Sequence, residues 1–210
     1  MKLRLASLLI IAPCLLSVPA MAQLDLYDNG PTDGTTDAYT INFGFEPSDS
    51  FQLSNAASVN GLQFAAWLIP GDLVESVEVS ITSNEFGGTV YFDQQVSLTQ
   101  GNCVGNQFGF NVCDELGTFN AVNLNAGTYW LNLQNAVVNT GDPVYWDQND
   151  GPSMASEGSL GTIQSESFTI LGSSSGTTTT TGTTPEPGTL MLFGSGVVGL
   201  LGLVRRQLGR

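Results

Sequence analysis

Between Gln23 and Thr184 the chain carries 18 carboxylates and not one Lys, Arg or His. This constrains the fold more than any other feature, because no side chain in that stretch can form an internal salt bridge. It also excludes chemistry. Phosphates cannot be neutralised there, which argues against nucleic-acid binding. Histidine-based catalysis and histidine zinc sites are impossible. The five cations, Lys2, Arg4, Arg205, Arg206 and Arg210, all sit at the two ends, so the formal charge of −14 averages two unlike objects. Cut after Ala22 and after Pro187, the remaining chain carries 19 carboxylate side chains and no cationic one.

Both ends read as addresses. Lys2 and Arg4 form a positive n-region, Leu5 to Leu16 an apolar h-region, and Ala20-Met21-Ala22 a small-x-small cleavage site. Residues 1–22 are therefore expected to be a signal peptide removed by signal peptidase, with Ala20 and Ala22 marking the cut. Pro13 and Pro19 interrupt the run, which falls short of the ~20 apolar residues of a membrane span.

At the other end, residues 172–184 (GSSSGTTTTTGTT) hold no charge and no large apolar side chain, the composition of a flexible linker. Pro185-Glu186-Pro187 follows, then an uncharged, mostly apolar run from Gly188 to Val204 that ends at Arg205-Arg206. A helix from Thr189 to Val204 would reach about 24 Å, slightly less than a ~30 Å hydrocarbon core, and flanking groups can snorkel across the difference. The arginines are expected to stay cytoplasmic, leaving the acidic domain outside.

Pro-Glu-Pro, a Gly-rich apolar helix and a terminal basic cluster, in that order over residues 185–210, resemble the PEP-CTERM sorting signal. The resemblance implies recognition of Pro185, Glu186 and Pro187 by an exosortase, a membrane transpeptidase-like enzyme, with Arg205 and Arg206 as the stop-transfer cluster. It further implies an inner-membrane-anchored precursor. The protein is then delivered to the envelope or extracellular matrix of a Gram-negative, exopolysaccharide-producing bacterium. The same tail is also known as an ice-binding-protein C-terminal motif. That name describes the tail and says nothing of ice binding by the remainder.

Residues 23–171 alternate with a period of two. Val77, Val79 and Ile81 oppose Glu78, Ser80 and Thr82; Tyr129, Leu131 and Leu133 oppose Trp130, Asn132 and Gln134; Phe168 and Ile170 oppose Ser167 and Thr169. Phe108, Phe110 and Val112 alternate likewise. Further strands are expected at 39–45, 61–68, 89–98, 118–124 and 144–146. With Gly/Asn/Asp breaks every 8–12 residues, this predicts an all-β antiparallel domain, a β-sandwich or jelly roll. A single transmembrane helix follows it at the C-terminus.

With Cys14 lost to processing, Cys103 and Cys113 remain, and export predicts a disulfide between them. Asp25, Asp28, Asp33 and Asp37 crowd into thirteen residues with Asn29, Gly30 and Gly34, which makes Ca2+ a possible ligand; the plain alternative is a solvated acidic loop. In Asp147-Gln148-Asn149-Asp150-Gly151 the glycine comes one position early for a calcium loop, so a turn is expected. Carboxylate pairs such as Glu75/Glu78 or Asp114/Glu115 would be needed for a secreted glycoside hydrolase, but neighbours on a strand face opposite ways. A serine nucleophile would have no His or Lys as its base. The function expected is a non-catalytic, exported surface or biofilm-matrix protein with no required cofactor. The rival is an exopolysaccharide-binding module that presents an aromatic such as Trp130 to the glycan.

Overall fold

The computed structural model describes residues 23–174, and these are all-β. Twelve strands form: β1 (Leu24–Asp28), β2 (Ala38–Thr40), β3 (Pro47–Leu53), β4 (Ala57–Leu68), β5 (Val74–Asn84), β6 (Gly87–Gly105), β7 (Asn111–Leu124), β8 (Gly127–Val138), β9 (Tyr145–Asp147), β10 (Ala155–Glu157), β11 (Gly161–Ile163) and β12 (Phe168–Ser174). The signal peptide, most of the linker, the sorting tail and its expected helix lie outside the described residues. No helix among the described residues is long and apolar enough to cross a membrane.

All pairings are antiparallel, and the strands follow the order β1-β12-β4-β7-β6-β5-β8-β3-β10-β11, with β9 pairing both β2 and β4. Where a β-sandwich or jelly roll is expected, the strands form one continuous curled antiparallel sheet. Its continuity comes from β6, whose first part, to Ser97, pairs with β5 and whose second part, from Leu98, pairs with β7. A 19-residue strand is long enough to leave one partner and take up another.

The curl brings β1 back against β3. A line of ring contacts runs Phe64–Trp146–Phe168–Tyr27–Phe51–Tyr129–Tyr91, with centroids 5.2–6.2 Å apart. Such spacings suit tilted and edge-on aromatic pairs. Around it pack Val77, Val79, Ile81, Leu131, Leu133 and Ile170, all essentially inaccessible. These are the inward residues that the alternation selects, because successive strand side chains point to opposite faces.

Several expectations are corrected. Asp25 and Asp28 belong to β1 rather than to a loop, and β3, β10 and β11 join strands that alternation alone does not mark. The strand expected at 39–45 stops at Thr40, because Phe43 (φ 58°) and Gly44 (φ 88°) turn the backbone through the left-handed region. Phe108 lies in a turn, not a strand: Asn106 accepts the Phe108 and Phe110 N–H groups on its side-chain oxygen, both at 3.0 Å. β12 runs to Ser174, three residues into the stretch read as linker. Gly172 permits this, since a Cβ there would overlap the Ser58 carbonyl of β4.

Candidate functional site

The segment from Asn29 to Asp37 leaves β1 and crosses the outer face of the sheet. Its anchors are polar, and none is an ion pair, because the described residues include no cation. Asn29 is fully buried, and its amide reaches Asp49 Oδ2 (3.1 Å), Ser165 Oγ (2.8 Å) and the Glu166 carbonyl (2.7 Å). Asn149 donates its side-chain N–H groups to the Asn29 and Pro31 carbonyls at 2.9 and 3.1 Å. Asp147 accepts the backbone N–H groups of Asp33 (2.9 Å) and Gly34 (3.0 Å) and the Trp67 indole N–H (2.6 Å). The 147–151 segment is therefore a mount for this strap and not the turn expected there, since Asp147 closes β9 and Gln148 bridges to Glu166. Burial raises the Asp147 pKa, and these hydrogen bonds oppose the rise.

The strap gives the four acids of the calcium reading separate tasks. Asp25 lies in β1 opposite Leu171. Asp28 accepts the Gly30 N–H and Asp37 the Ala38 N–H, each at 2.9 Å. Asp33 accepts backbone and hydroxyl hydrogens from Thr35 and Thr36 at 2.6–3.2 Å, which outweigh its partial burial and lower its pKa. No group of three or more Asp, Glu, Cys or His among the described residues is placed to hold a metal ion.

Beneath the strap, Ala65 and Trp67 of β4 turn away from the main core. With Val112, Phe110 and Tyr145 they build a second, smaller apolar cluster. Phe108, 53% exposed, stacks on Trp67 with centroids 5.6 Å apart. Beside this cluster, Cys103 of β6 and Cys113 of β7 stand opposite each other and are joined by the expected disulfide. Between the disulfide-tied hairpin and the strap opens a cleft of about 530 Å3, with Thr32 and Asp33 on one wall, Asn102 and Asn106 on the other, and Val112 below. A second cavity of about 200 Å3 shares Thr32 and Asp114 with it.

Trp130, the expected glycan platform, lies on the outer face of the other half of the curl. It is half-buried, and its indole N–H has no partner among the described residues. Its neighbours across the sheet are Ser50 and Thr82. One row along, Thr162, Ser156, Ser48, Asn132, Ser80 and Asp93 line up across six strands. Ser48 Oγ and Asn132 Oδ1, adjacent in that row, are buried without a hydrogen-bond partner. Trp67 and Trp146, by contrast, are buried and bonded to Asp147 and to the Ser167 carbonyl.

Asp114 and Glu115 are divided as strand geometry requires. Glu115 turns inward on the face of Cys113, while Asp114 lines the outer cleft. Glu78 is engaged by the amides of Gln134 (3.0 Å) and Asn135 (2.8 Å). Asn106 and Phe108 join the site without having been expected there. The available signal was the Asn106-Gln107-Phe108-Gly109 string, a turn composition with an aromatic at its tip.

Comparison with known families finds the PEP-CTERM protein-sorting motif over residues 183–206. No curated protein matches the chain. The match covers Pro185-Glu186-Pro187 and extends to Arg206, so it takes in the tripeptide and both arginines singled out above. The chain is an exported protein whose C-terminal segment is a PEP-CTERM sorting motif, the signal by which an exosortase processes a membrane-anchored precursor bound for the cell surface.

Proposed function

We propose that this is a non-catalytic surface or matrix protein of a Gram-negative bacterium, with the curled-sheet domain as its displayed cargo. One observation carries the reading: a sorting motif at 183–206 follows a domain in which no side chain is cationic. All the basic residues belong to the delivery segments, so the cargo is acidic throughout. The Ser/Thr/Gly linker joins the domain to the sorting tail, and its threonines are candidate glycosylation sites. Exosortase cuts near Pro185–Pro187, and the arginines remain with the discarded tail. The test is fractionation of cells expressing the Glu186→Ala variant. Retention in the inner membrane, with loss from the surface fraction, supports the reading. An unchanged distribution contradicts it.

A second reading is recognition of exopolysaccharide. It is favoured by Trp130, whose half-buried ring and unpartnered N–H lie within a sheet face of hydroxyl and amide side chains. Aromatic rings pack against the C–H faces of sugars, and the partly exposed Ser50 beside Trp130 can bond a sugar hydroxyl. Trp130→Ala would then release the protein from its own matrix polysaccharide without changing its sorting.

A further inference from the structure

The two cavities beneath the strap share Thr32 and Asp114, so they adjoin along the outer face of the sheet, and we term the pair the groove. Its floor can be followed through the strand register. Asp28 of β1 stands opposite Thr169 of β12, Thr169 opposite Gln63 of β4, Ala65 of β4 opposite Asp114 of β7, and Val112 of β7 opposite Val104 of β6. Five strands at ~4.8 Å spacing place the two cavities along a path of roughly 19 Å. That is the footprint of a chain rather than of a single small molecule.

The groove is preorganised. One wall is the strap, fixed by Asp147 and Asn149, and by Gly34 at φ 62°, whose missing Cβ would come within 3.1 Å of Val112. The other wall is the hairpin tied by the Cys103–Cys113 disulfide and by the Asn106 turn. Rigid walls reduce the ordering cost of binding.

Some polar groups in the groove are already used. The Asp33 oxygens are filled by Thr35 and Thr36, and Asp28 holds the Gly30 N–H. Others are idle. No hydrogen bond from the described residues reaches the Asp114 carboxylate or the side chains of Asn102 and Gln107. Asn106 Nδ2 is buried without a partner. The groove therefore offers a carboxylate acceptor, amide donors and acceptors, and valine methyls on the floor. With three carboxylates along it and no cation, it repels anionic chains.

We propose that this groove binds an extended, uncharged oligosaccharide. Sugar hydroxyls donate to Asp114 and accept from Asn102 and Gln107, while a C–H face lies on Val104 and Val112. The proposal takes its ligand class from the glycan reading above but places the site on the other half of the curl from Trp130.

The test is calorimetric titration of the exported protein with cellohexaose, laminarihexaose and mannohexaose as neutral probes, and with hexagalacturonate as the anionic one. At least one neutral hexaose is expected to bind. Asp114→Ala and, separately, Gln107→Ala should each weaken it by about tenfold, the size of one good hydrogen bond to a charged or amide group. Trp130→Ala should leave that binding unchanged. If a neutral hexaose binds but only Trp130→Ala abolishes it, the glycan reading stands and the groove proposal falls. Tighter binding of hexagalacturonate than of every neutral probe overturns the groove proposal. Failure of all the neutral probes overturns both. Gln107 is exposed and lines only the cleft, so its substitution separates lost binding from lost folding.

Discussion

Glu115 of β7 and Gln100 of β6 stand directly opposite each other, the first with both carboxyl oxygens, the second with its amide oxygen, buried and without a hydrogen-bond partner. Burial, with a smaller contribution from the Asp114 charge, pushes the Glu115 pKa up to about 8. The carboxyl is therefore mostly protonated at neutral pH, and its O–H is available to the Gln100 oxygen. Burial also raises Asp49, to about 6, against hydrogen bonds led by the Glu166 N–H, and it raises Glu166 well above its ordinary value.

The sign of the pH dependence follows. Between an unfolded value of 4.5 and a folded value of about 8, the folded chain holds a Glu115 proton that the unfolded chain has released. That stabilisation is complete below the lower value, is lost as pH rises, and is gone above the upper one. Asp49 acts in the same direction between 3.8 and about 6. Denaturant melts should show greater stability at pH 5 than at pH 8. Glu115→Gln should flatten the profile and raise stability at pH 8 by up to about 5 kcal/mol. A domain that becomes more stable from pH 5 to pH 8 would contradict this.

Trp67 donates its indole N–H to Asp147, the mount of the strap. Trp67→Phe keeps a ring against Phe108 but removes that donor from a buried carboxylate. A loss of about 1–3 kcal/mol is expected. Hydrogen exchange should speed up at the Asp33 and Gly34 amides, which share the same carboxylate. Unchanged exchange there would mean that the strap is held by other contacts.

Reducing Cys103–Cys113 opens a loop with a sequence separation of 10. The chain-entropy account gives a loss of roughly 3 kcal/mol. Urea melts with and without reductant measure it. The cleft wall formed by this hairpin should also loosen, which proteolysis near Gln107 would detect.

Gly172 lies where β12 presses against β4. Gly172→Ala must push the strands apart, and overpacking of this kind costs about 1–3 kcal/mol. A neutral outcome in a thermal melt would place the end of the domain before Gly172, as the composition alone suggests.

Much of the core was legible. Val77, Val79 and Ile81, or Tyr129, Leu131 and Leu133, can face inward only if the chain is extended, and they do. The disulfide was legible because two cysteines in an exported chain have one possible partner each. β3 was hidden because its inward face carries Asp49 between Pro47 and Phe51, which breaks the apolar pattern. β1 was hidden because Asp25 and Asp28 make an edge strand look like an acidic loop. The groove could not be read at all. Asp28 with Thr32, Gln63, and Asn106 with Asp114 come from three separate stretches and meet only through the strand register and the mounts at Asp147 and Asn149.

Sorting through the 183–206 motif underlies every later step in the life of this protein. Intact mass spectrometry of the protein recovered from the surface of its own cells tests it. The predicted mass is that of a chain beginning at Gln23, ending near Pro187, with Cys103 and Cys113 oxidised and any linker glycans added. A surface protein that retains residues 188–210 through Arg210 would contradict it.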